Sequence, residues 1–184
     1  MIKVRNNSFN NSWYNPGRVK FILILWYLTN ILIFKNPLMV SYAIKINILR
    51  LFGAVVGDNV IIKPNVNIKY PWFLNIGNNS WIGEGVWIDN LCQISIGSNV
   101  CVSQGAMLLT GNHDYKKSTF DLFVGEVILE DGVWVGAKSI VCPGVTAKSH
   151  SVLSVGSVAS SDLMSYKIYK GNPAEPVKTR TILS

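Results

Sequence analysis

The sequence predicts an all-β solenoid, because aliphatic residues recur at every sixth position over most of the chain. Glycine often follows the aliphatic residue, and a series of small or β-branched residues lies four positions after it. A short fixed period is typical of a solenoid, and alternating inward side chains favour short strands over helices. We expect about five coils of three strands, whose core is formed by Val56, Ile62, Ile68, Ile76, Ile82, Ile88, Ile96, Val102, Leu108, Leu129, Val135, Val141, Ala147, Leu153 and Ala159.

A polar segment and an apolar segment precede the repeat. Residues 1–16 are rich in asparagine, with Trp13, Tyr14 and Pro16 as expected packing anchors. Residues 19–34 are mostly apolar after a cationic start, but they are fewer than the roughly 20 that span a bilayer. No small-residue cleavage site of the secretory type follows them. We interpret residues 19–34 as a helix buried on the solenoid or between subunits, and peripheral contact with a membrane is the alternative.

A second helix and a C-terminal tail complete the organisation. Residues 39–52 have a helical pattern, and Gly53 is placed to end that helix. We divide the chain into an N-terminal segment (1–55), a solenoid (56–161) and a tail (162–184). Because the ends of a solenoid must be covered, we expect the helices to cap one end and the tail to fold back along the other.

Three steps along the repeat exceed six residues, and each excess falls after the third strand of a coil. The first two are about two residues too long, and the third contains a loop at residues 111–127. Since equivalent positions of stacked coils lie above one another, we expect the insertions to emerge along one edge and to form a polar, sugar-type pocket. The inserted segments are Tyr70-Pro71-Trp72, Asp89-Asn90-Leu91 and Asn112-His113-Asp114-Tyr115.

His113, at the start of the long loop, is a candidate general base. Histidine is the side chain best suited to accept a proton near neutral pH, and a hydroxyl nucleophile needs such a base. Polar turn chemistry is the alternative for Asn112, His113 and Asp114. The other histidine, His150, falls at an outward corner, where we expect a surface role.

Composition restricts the partners. The hydrophobic fraction of 49% is high for a soluble monomer, so we expect surface to be buried against other subunits or a membrane. The net charge is +7, but the basic residues form no dense run of the kind that would predict nucleic-acid binding. Three cysteines without a CxxC motif argue against disulfides and thiolate zinc sites, and the repeat places Cys92 inward. We expect a cytoplasmic protein, with the inner face of the cell membrane as the surface for any peripheral contact.

The repeat resembles that of the left-handed β-helix acyltransferases, and most closely the O-acetyltransferases of the colanic-acid-biosynthesis type. The resemblance covers nearly the whole chain. It rests on Asn15-Pro16-Gly17-Arg18, Leu51-Phe52-Gly53-Ala54, Tyr70-Pro71-Trp72, Trp81-Ile82-Gly83-Glu84, Trp87-Ile88-Asp89-Asn90-Leu91, Val102-Ser103-Gln104, Thr110-Gly111-Asn112-His113-Asp114-Tyr115, Asp131-Gly132-Val133-Trp134-Val135-Gly136-Ala137 and Gly171-Asn172-Pro173-Ala174. It implies a left-handed parallel β-helix that transfers acetyl groups from acetyl-CoA to a hydroxyl of a bacterial exopolysaccharide or capsule precursor.

The resemblance also implies an assembly and a set of site residues. It implies a homotrimer with active sites between subunits, in which His113 deprotonates the acceptor and the N–H of Ala137 from the adjacent subunit stabilises the oxyanion. The residues implied for binding acetyl-CoA are Trp134, Gly136, Ala137, Val155, Gly156, Ser160 and Ser161, with a trimer contact as the alternative for Trp134. Lys178 and Arg180 are candidates for the CoA phosphates because of their charge, and a solvated tail is the alternative. The candidates for the carbohydrate acceptor are Asp89, Asn90, Asn112, Asp114 and Trp72. A backbone carbonyl or Asn112 is expected to orient His113, because Asp114, as the adjacent residue of a strand, points the other way.

Some features depart from the resemblance, and other functions compete. Glu126 stands where relatives often have proline, and Ser160-Ser161 replaces a common Thr-Lys pair near the CoA. Acetylation of a xenobiotic by the same fold and a non-catalytic homologue that binds CoA remain alternatives. Zinc chemistry of the γ-carbonic-anhydrase type needs three histidines, and the chain has two, so we expect no metal. A flat ice-binding face would need regular threonine arrays, which the sequence lacks.

Overall fold

Residues 2–183 are described by a computed structural model, in which the predicted solenoid has five three-stranded coils and a partial sixth. The strands that form the coils pair in parallel with their equivalents one coil further on, as Ile62, Ile82 and Val102 do. The strands are β1 (Val55–Val56), β2 (Ile61–Ile62), β3 (Asn67–Ile68), β4 (Leu74–Ile76), β5 (Trp81–Ile82), β6 (Trp87–Asp89), β7 (Ile94–Ile96), β8 (Cys101–Val102), β9 (Met107–Leu109), β10 (Gly111–His113), β11 (Leu122–Val124), β12 (Val127–Leu129), β13 (Trp134–Val135), β14 (Ile140–Val141), β15 (Thr146–Ala147), β16 (Val152–Leu153), β17 (Val158–Ala159), β18 (Lys167–Gly171) and β19 (Ala174–Thr179).

Three sheets form the walls of the solenoid. One contains β1, β4, β7, β12 and β15, a second runs from β2 through β5, β8, β13 and β16 to the tail strands β18 and β19, and a third contains β3, β6, β9, β14 and β17. At the corners between walls the backbone often enters the left-handed region, as at Asn59, Asn65 and Asn79. Asparagine tolerates this conformation better than most residues, which explains its use at these corners.

The core consists of the aliphatic repeat, as the sequence predicted. All fifteen of the aliphatic repeat positions are at most 7% exposed. The second series is buried as well, except for Cys92, which is only half-buried. The prediction for Cys92 was wrong because this residue follows the insertion at Asp89-Asn90-Leu91, which displaces the chain from the repeat register. Its backbone N–H donates to the hydroxyl of Thr110, and partial burial raises the pKa of the thiol.

The helices begin later than the sequence pattern indicated. Helix α1 (Lys20–Thr29) continues directly into a π-helical turn (Asn30–Phe34), and helix α2 (Tyr42–Leu51) follows. Helix α2 does not include residues 39–41, because Ser41 has an extended backbone and forms the N-cap. Gly53 follows α2 with a φ of +96°. Glycine adopts this backbone conformation easily, whereas a residue with a side chain would be strained there. Within residues 2–183, no helix is both long and apolar enough to cross a bilayer.

The helices close the first coil by covering the edge of each sheet with a side chain. Arg50 donates to the carbonyl of Val56 in β1 (2.8 Å), and Trp26 Nε1 donates to that of Ile68 in β3 (2.9 Å). Lys45 Nζ donates to the carbonyl of Ile62 in β2 (3.1 Å). An open sheet edge offers unpaired backbone groups to other chains, so these three contacts protect the edge from aggregation.

The tail covers the other end as a β-hairpin. Strand β18 pairs in parallel with β16, and β19 pairs antiparallel with β18, so both extend the second sheet. Arg180 then returns along the corner and donates to the carbonyls of Gly132 (2.8 Å) and His150 (3.2 Å). His150 lies at that corner with a φ of +60°, and its ring stacks on Tyr166 at 4.8 Å.

Candidate active site

The three insertions converge on one cavity of about 450 Å³, as the register of the repeat predicted. The cavity is open on one side and lies at the edge where the first and third sheets meet. Its walls combine all three insertions with the segment before α1, whose residues were expected only to anchor the chain by packing. The lining residues are Phe9, Asn11, Tyr14, Lys69, Tyr70, Asp89, Leu91, Gly111, Asn112, His113 and Leu122.

The long loop places His113 and fixes the orientation of its ring. Instead of an irregular loop, residues 111–127 contain an antiparallel hairpin in which β10 pairs with β11. His113 ends β10, and its Nδ1 lies 2.9 Å from the carbonyl oxygen of Phe120. A carbonyl can only accept, so this contact assigns the proton to Nδ1 and leaves the lone pair on Nε2.

Two aromatic side chains hold the imidazole on either side of this contact. The Phe120 ring stacks on the His113 ring with centroids 4.4 Å apart and an interplanar angle of 6°. The Phe9 ring approaches His113 edge-on at 5.5 Å. Phe120 itself has a φ of +52°, and a bulky residue in this conformation is strained. The strain is consistent with a loop whose geometry serves the position of His113.

Asn112 and Asp114 have different surroundings, although both were expected to contact the acceptor. The Oδ1 of Asn112 accepts from the backbone N–H of His113 (2.8 Å), and Asn112 lines the cavity. Asp114 does not line it, and its carboxylate accepts from the backbone N–H of Lys116 (3.0 Å). As expected, a backbone carbonyl rather than Asp114 orients His113.

Asn90 and Trp72 were expected to bind the acceptor; the structure contradicts this for Asn90, whereas for Trp72 it shows a structural contact and the acceptor role stays a prediction. Asn90 is fully buried, and its side chain bonds both the N–H and the carbonyl of Tyr70 and the carbonyl of Phe73. Trp72 does not line the cavity, and its Nε1 donates to the carbonyl of Pro16 (2.7 Å). The amide and the indole therefore shape the insertion at residues 70–73 and anchor the N-terminal segment.

An ion pair lies at the wall of the cavity. Lys69 Nζ is 3.1 Å from Oδ1 of Asp89, whose side chain is 17% exposed. Burial and the nearby Asp89 carboxylate raise the pKa of Tyr70. The Tyr14 hydroxyl donates to the carbonyl of Leu91 (2.7 Å), and burial raises its pKa too. Tyr14 thus ties the N-terminal segment to the second insertion. Tyr14 was expected to anchor this segment, but its place at the cavity could not be predicted, because residues 1–16 lie outside the repeat.

A second cavity, of about 570 Å³, lies on the outward face of the second sheet and brings together most of the residues expected to bind CoA. Trp134 forms one wall and donates from Nε1 to the hydroxyl of Ser103 (2.9 Å). Lys178 and Arg180 supply positive charge from the tail. The lining residues are Ser103, Gln104, Trp134, Gly136, Ala137, Val152, Leu153, Ser154, Val155, Ile168, Lys178 and Arg180.

The backbone N–H groups along the second cavity differ in whether they have a hydrogen-bond acceptor. The N–H of Gly136 donates to Leu153, and that of Gly156 donates to Ala137. In contrast, within the described chain neither Ala137 nor Val155 has an acceptor for its N–H. Gly136 is required for another reason, because a Cβ there would lie 2.6 Å from the backbone nitrogen of Val155 in the next coil. Ala137 and Val155 therefore have free donors on this wall, as does Gln104, whose N–H also lacks an acceptor within the described chain.

Three expected CoA contacts lie elsewhere. Gly156, Ser160 and Ser161 are exposed and do not line the second cavity. Gly156 adjoins Val155, and its N–H donates to the carbonyl of Ala137 (2.9 Å), whereas Ser160 and Ser161 follow β17. Their contacts with CoA stay predictions.

No residue lines both cavities of the single chain. His113 and the free N–H of Ala137 thus belong to separate surfaces of one subunit. Elsewhere in residues 2–183, no three His, Cys, Asp or Glu side chains cluster as they would around a metal ion.

Comparison with known proteins identifies the family, although no family profile matches the chain. The chain is 34% identical over 156 residues to the putative colanic acid biosynthesis acetyltransferase WcaF of Escherichia coli. The aligned region covers 85% of this chain and 86% of that protein. A hexapeptide-repeat containing acetyltransferase from Vibrio cholerae, solved with acetyl-CoA, superposes with a TM-score of 0.79 at 19% identity over 90% of this chain and 91% of that one.

A galactoside acetyltransferase solved with coenzyme A superposes with a TM-score of 0.77 at 20% identity, over 90% of this chain and 85% of that one. These superpositions confirm the left-handed β-helix, and the relationship to the Escherichia coli protein carries the assignment of the family. The chain therefore belongs to the hexapeptide-repeat acetyltransferases and is an acyltransferase.

Proposed function

We propose that the protein transfers an acetyl group from acetyl-CoA to a sugar hydroxyl of a bacterial exopolysaccharide or capsule precursor, with His113 as general base. The observation that carries this proposal is the contact of His113 Nδ1 with the Phe120 carbonyl, because it leaves Nε2 as the basic nitrogen in a polar cavity. The relationship to a protein named for colanic acid biosynthesis supports an acceptor of the polysaccharide class.

The second cavity has the chemistry that the donor requires. It has an apolar wall at Trp134, Val152 and Ile168 for a thin organic chain, and Lys178 and Arg180 lie beside it for phosphate groups. The free N–H groups of Ala137 and Val155 supply hydrogen-bond donors along the same wall.

The proposed chemistry is direct transfer. His113 Nε2 accepts the proton of the acceptor hydroxyl as the oxygen attacks the thioester carbon, and the N–H of Ala137 stabilises the oxyanion. The C–S bond then breaks, and the leaving thiolate takes the proton from the imidazolium. The net products are an O-acetyl ester and the free thiol. Asp89 and Asn112, with Lys69, form the polar wall available to the acceptor.

This chemistry requires His113 of one subunit to meet Ala137 of another, so we propose a homotrimer with its active sites between subunits. The outward face of the third sheet supports burial in such an assembly. Trp87, Met107 and Ile140 are successive partners on that face and form an apolar ladder, and Trp87 is 38% exposed in the single chain. An apolar ladder of this kind is better covered than solvated.

The test compares His113→Ala with His150→Ala, because the second histidine lies outside both cavities and provides a matched control. Release of free thiol from acetyl-CoA is followed over a panel of nucleotide sugars and lipid-linked sugars. We expect His113→Ala to lower the rate by ~10² or more with acetyl-CoA affinity unchanged, and His150→Ala to retain the rate.

Equal loss of acetyl-CoA binding in His113→Ala would contradict the assignment of His113 as the base. Calorimetric titration of the wild-type protein with acetyl-CoA measures binding of the donor separately from acetyl transfer. Binding without turnover on any acceptor, unaffected by His113→Ala, would indicate a non-catalytic CoA-binding protein.

A further inference from the structure

The outer face of α1 is an apolar surface that the solenoid leaves uncovered. Phe21, Ile24, Leu25, Leu28 and Leu32 recur at helical spacing and form one stripe along α1 and the π-helical turn. All five are exposed, with Phe21 at 72% and Leu32 at 64%. The inner face is occupied by Trp26 and Phe34, which are buried against the first coil.

The charged residues are also distributed unevenly along the chain. The first acidic residue of the sequence is Asp58, and residues 1–57 contain seven basic residues and no acidic one. Residues 58–184 contain ten of each, so the whole formal net charge of +7 resides in the segment that carries the stripe. Lys20 lies at the start of α1 and Lys35 just after its π-helical turn, and both are exposed.

We propose that this stripe binds the surface of an anionic phospholipid membrane, with α1 lying in the interface and the flanking lysines contacting lipid phosphates. A helix with an exposed apolar stripe and only basic flanking charges has the chemistry of an interfacial helix. Pairing of the stripe with the same stripe of a second copy would instead bring like charges together.

The position of the stripe agrees with the proposed function, although the proposal does not depend on it. A groove of about 340 Å³ runs beside α1, lined by Tyr27, Ile31 and Lys35 on the helix side. The same groove includes Lys69, Tyr70 and Asp89, which also line the cavity of His113. A membrane-bound α1 would therefore place the acceptor cavity next to the lipid surface, where lipid-linked glycans are located.

Vesicle flotation with the full chain tests the proposal. The probes are vesicles of phosphatidylcholine alone and of phosphatidylcholine mixed with phosphatidylglycerol. We expect the wild-type protein to float with the anionic vesicles and to be released by salt. The triple variant Ile24→Gln, Leu28→Gln, Leu32→Gln and the double variant Lys20→Gln, Lys35→Gln should each lower binding by about tenfold or more.

The matched controls replace the same kinds of side chain, exposed apolar residues and exposed lysines, at other positions. Ile128→Gln with Val177→Gln changes exposed apolar residues outside the stripe, and Lys116→Gln with Lys170→Gln changes exposed lysines outside residues 1–57. Both controls should float like the wild type. Failure of the wild type to float, or equal flotation of the stripe variants, would overturn the proposal. A lower sedimentation mass of the triple variant would show that another copy covers the stripe, which also overturns it. Flotation needs no turnover, so its failure is distinct from failure of the proposed function.

Discussion

Replacing Asn90 with alanine separates a structural amide from a substrate contact. Asn90 is fully buried, and its side chain makes hydrogen bonds with Tyr70 N–H (3.0 Å), Tyr70 carbonyl (2.6 Å) and Phe73 carbonyl (3.2 Å). The alanine variant leaves the Tyr70 N–H and the Phe73 carbonyl without a partner, whereas the Tyr70 carbonyl keeps the backbone N–H of Phe73 (3.0 Å). A buried group that loses its partner costs roughly 1 kcal/mol or more, so we expect a loss of about 2 kcal/mol in the free energy of unfolding.

The assay is urea unfolding at one fixed protein concentration, since an oligomer unfolds in a concentration-dependent way. With a slope of ~2 kcal/mol per molar urea, the midpoint should fall by roughly 1 M. Asn112→Ala is the matched control, because its amide makes one hydrogen bond, to His113 N–H, and is exposed. Its free energy of unfolding should change by less than about 1 kcal/mol, because water can replace the bond.

An unchanged midpoint for Asn90→Ala, together with lost acetyl transfer and intact acetyl-CoA binding, would refute this reasoning. It would return Asn90 to the role of an acceptor contact. A lowered midpoint in both variants would show instead that the whole insertion edge is marginally stable and that burial does not distinguish the two amides.

Two further variants test how the coils stack and how their edge is covered. Gly136→Ala should lower the free energy of unfolding by roughly 1 to 3 kcal/mol, as overpacking does, because its Cβ would meet the backbone of the next coil at 2.6 Å. Ala137→Gly, which adds no atoms, is the control in the same denaturation series. Stability of Gly136→Ala equal to that of the wild type would contradict the close stacking. Lys45→Met should destabilise the fold by leaving the carbonyls of Ile62 and Lys63 unpaired. Burial lowers the pKa of Lys45 in the folded protein, so the unfolded state binds more protons, and wild-type stability relative to Lys45→Met should rise as pH approaches the ordinary lysine value of 10.5. A difference that falls with pH in thermal unfolding would contradict the sign.

The sequence predicted the solenoid because its period is local. Each inward residue follows from the six-residue step, and burial of Ile62, Ile82 and Val102 in successive coils needed no knowledge of distant contacts. Six of the twelve residues that line the second cavity, Ala137 among them, were expected to bind CoA. Gly156, Ser160 and Ser161 do not line that cavity in the single chain, so their contacts with CoA stay predictions.

The edge insertions could be located from the sequence but not interpreted residue by residue. The broken period indicated that His113, Asn90 and Trp72 lie near one edge, yet it could not show which of them face the cavity. Asn90 and Trp72 turn inward to satisfy backbone carbonyls, whereas His113 lines the cavity. Hydrogen-bond partners across 20 to 56 positions of sequence decide these orientations, and no local pattern contains them.

The sequence alone thus determined the solenoid, its core and the place of its insertions, because these follow from a short period and the burial of apolar side chains. The tertiary structure decided what depends on long-range contacts: the Phe120 carbonyl that assigns the proton of His113, the N-terminal residues that line the cavity, and the exposed stripe on α1. Phe9 and Tyr14 reach the cavity from more than 70 positions away, since the edge needs side chains that the repeat does not supply.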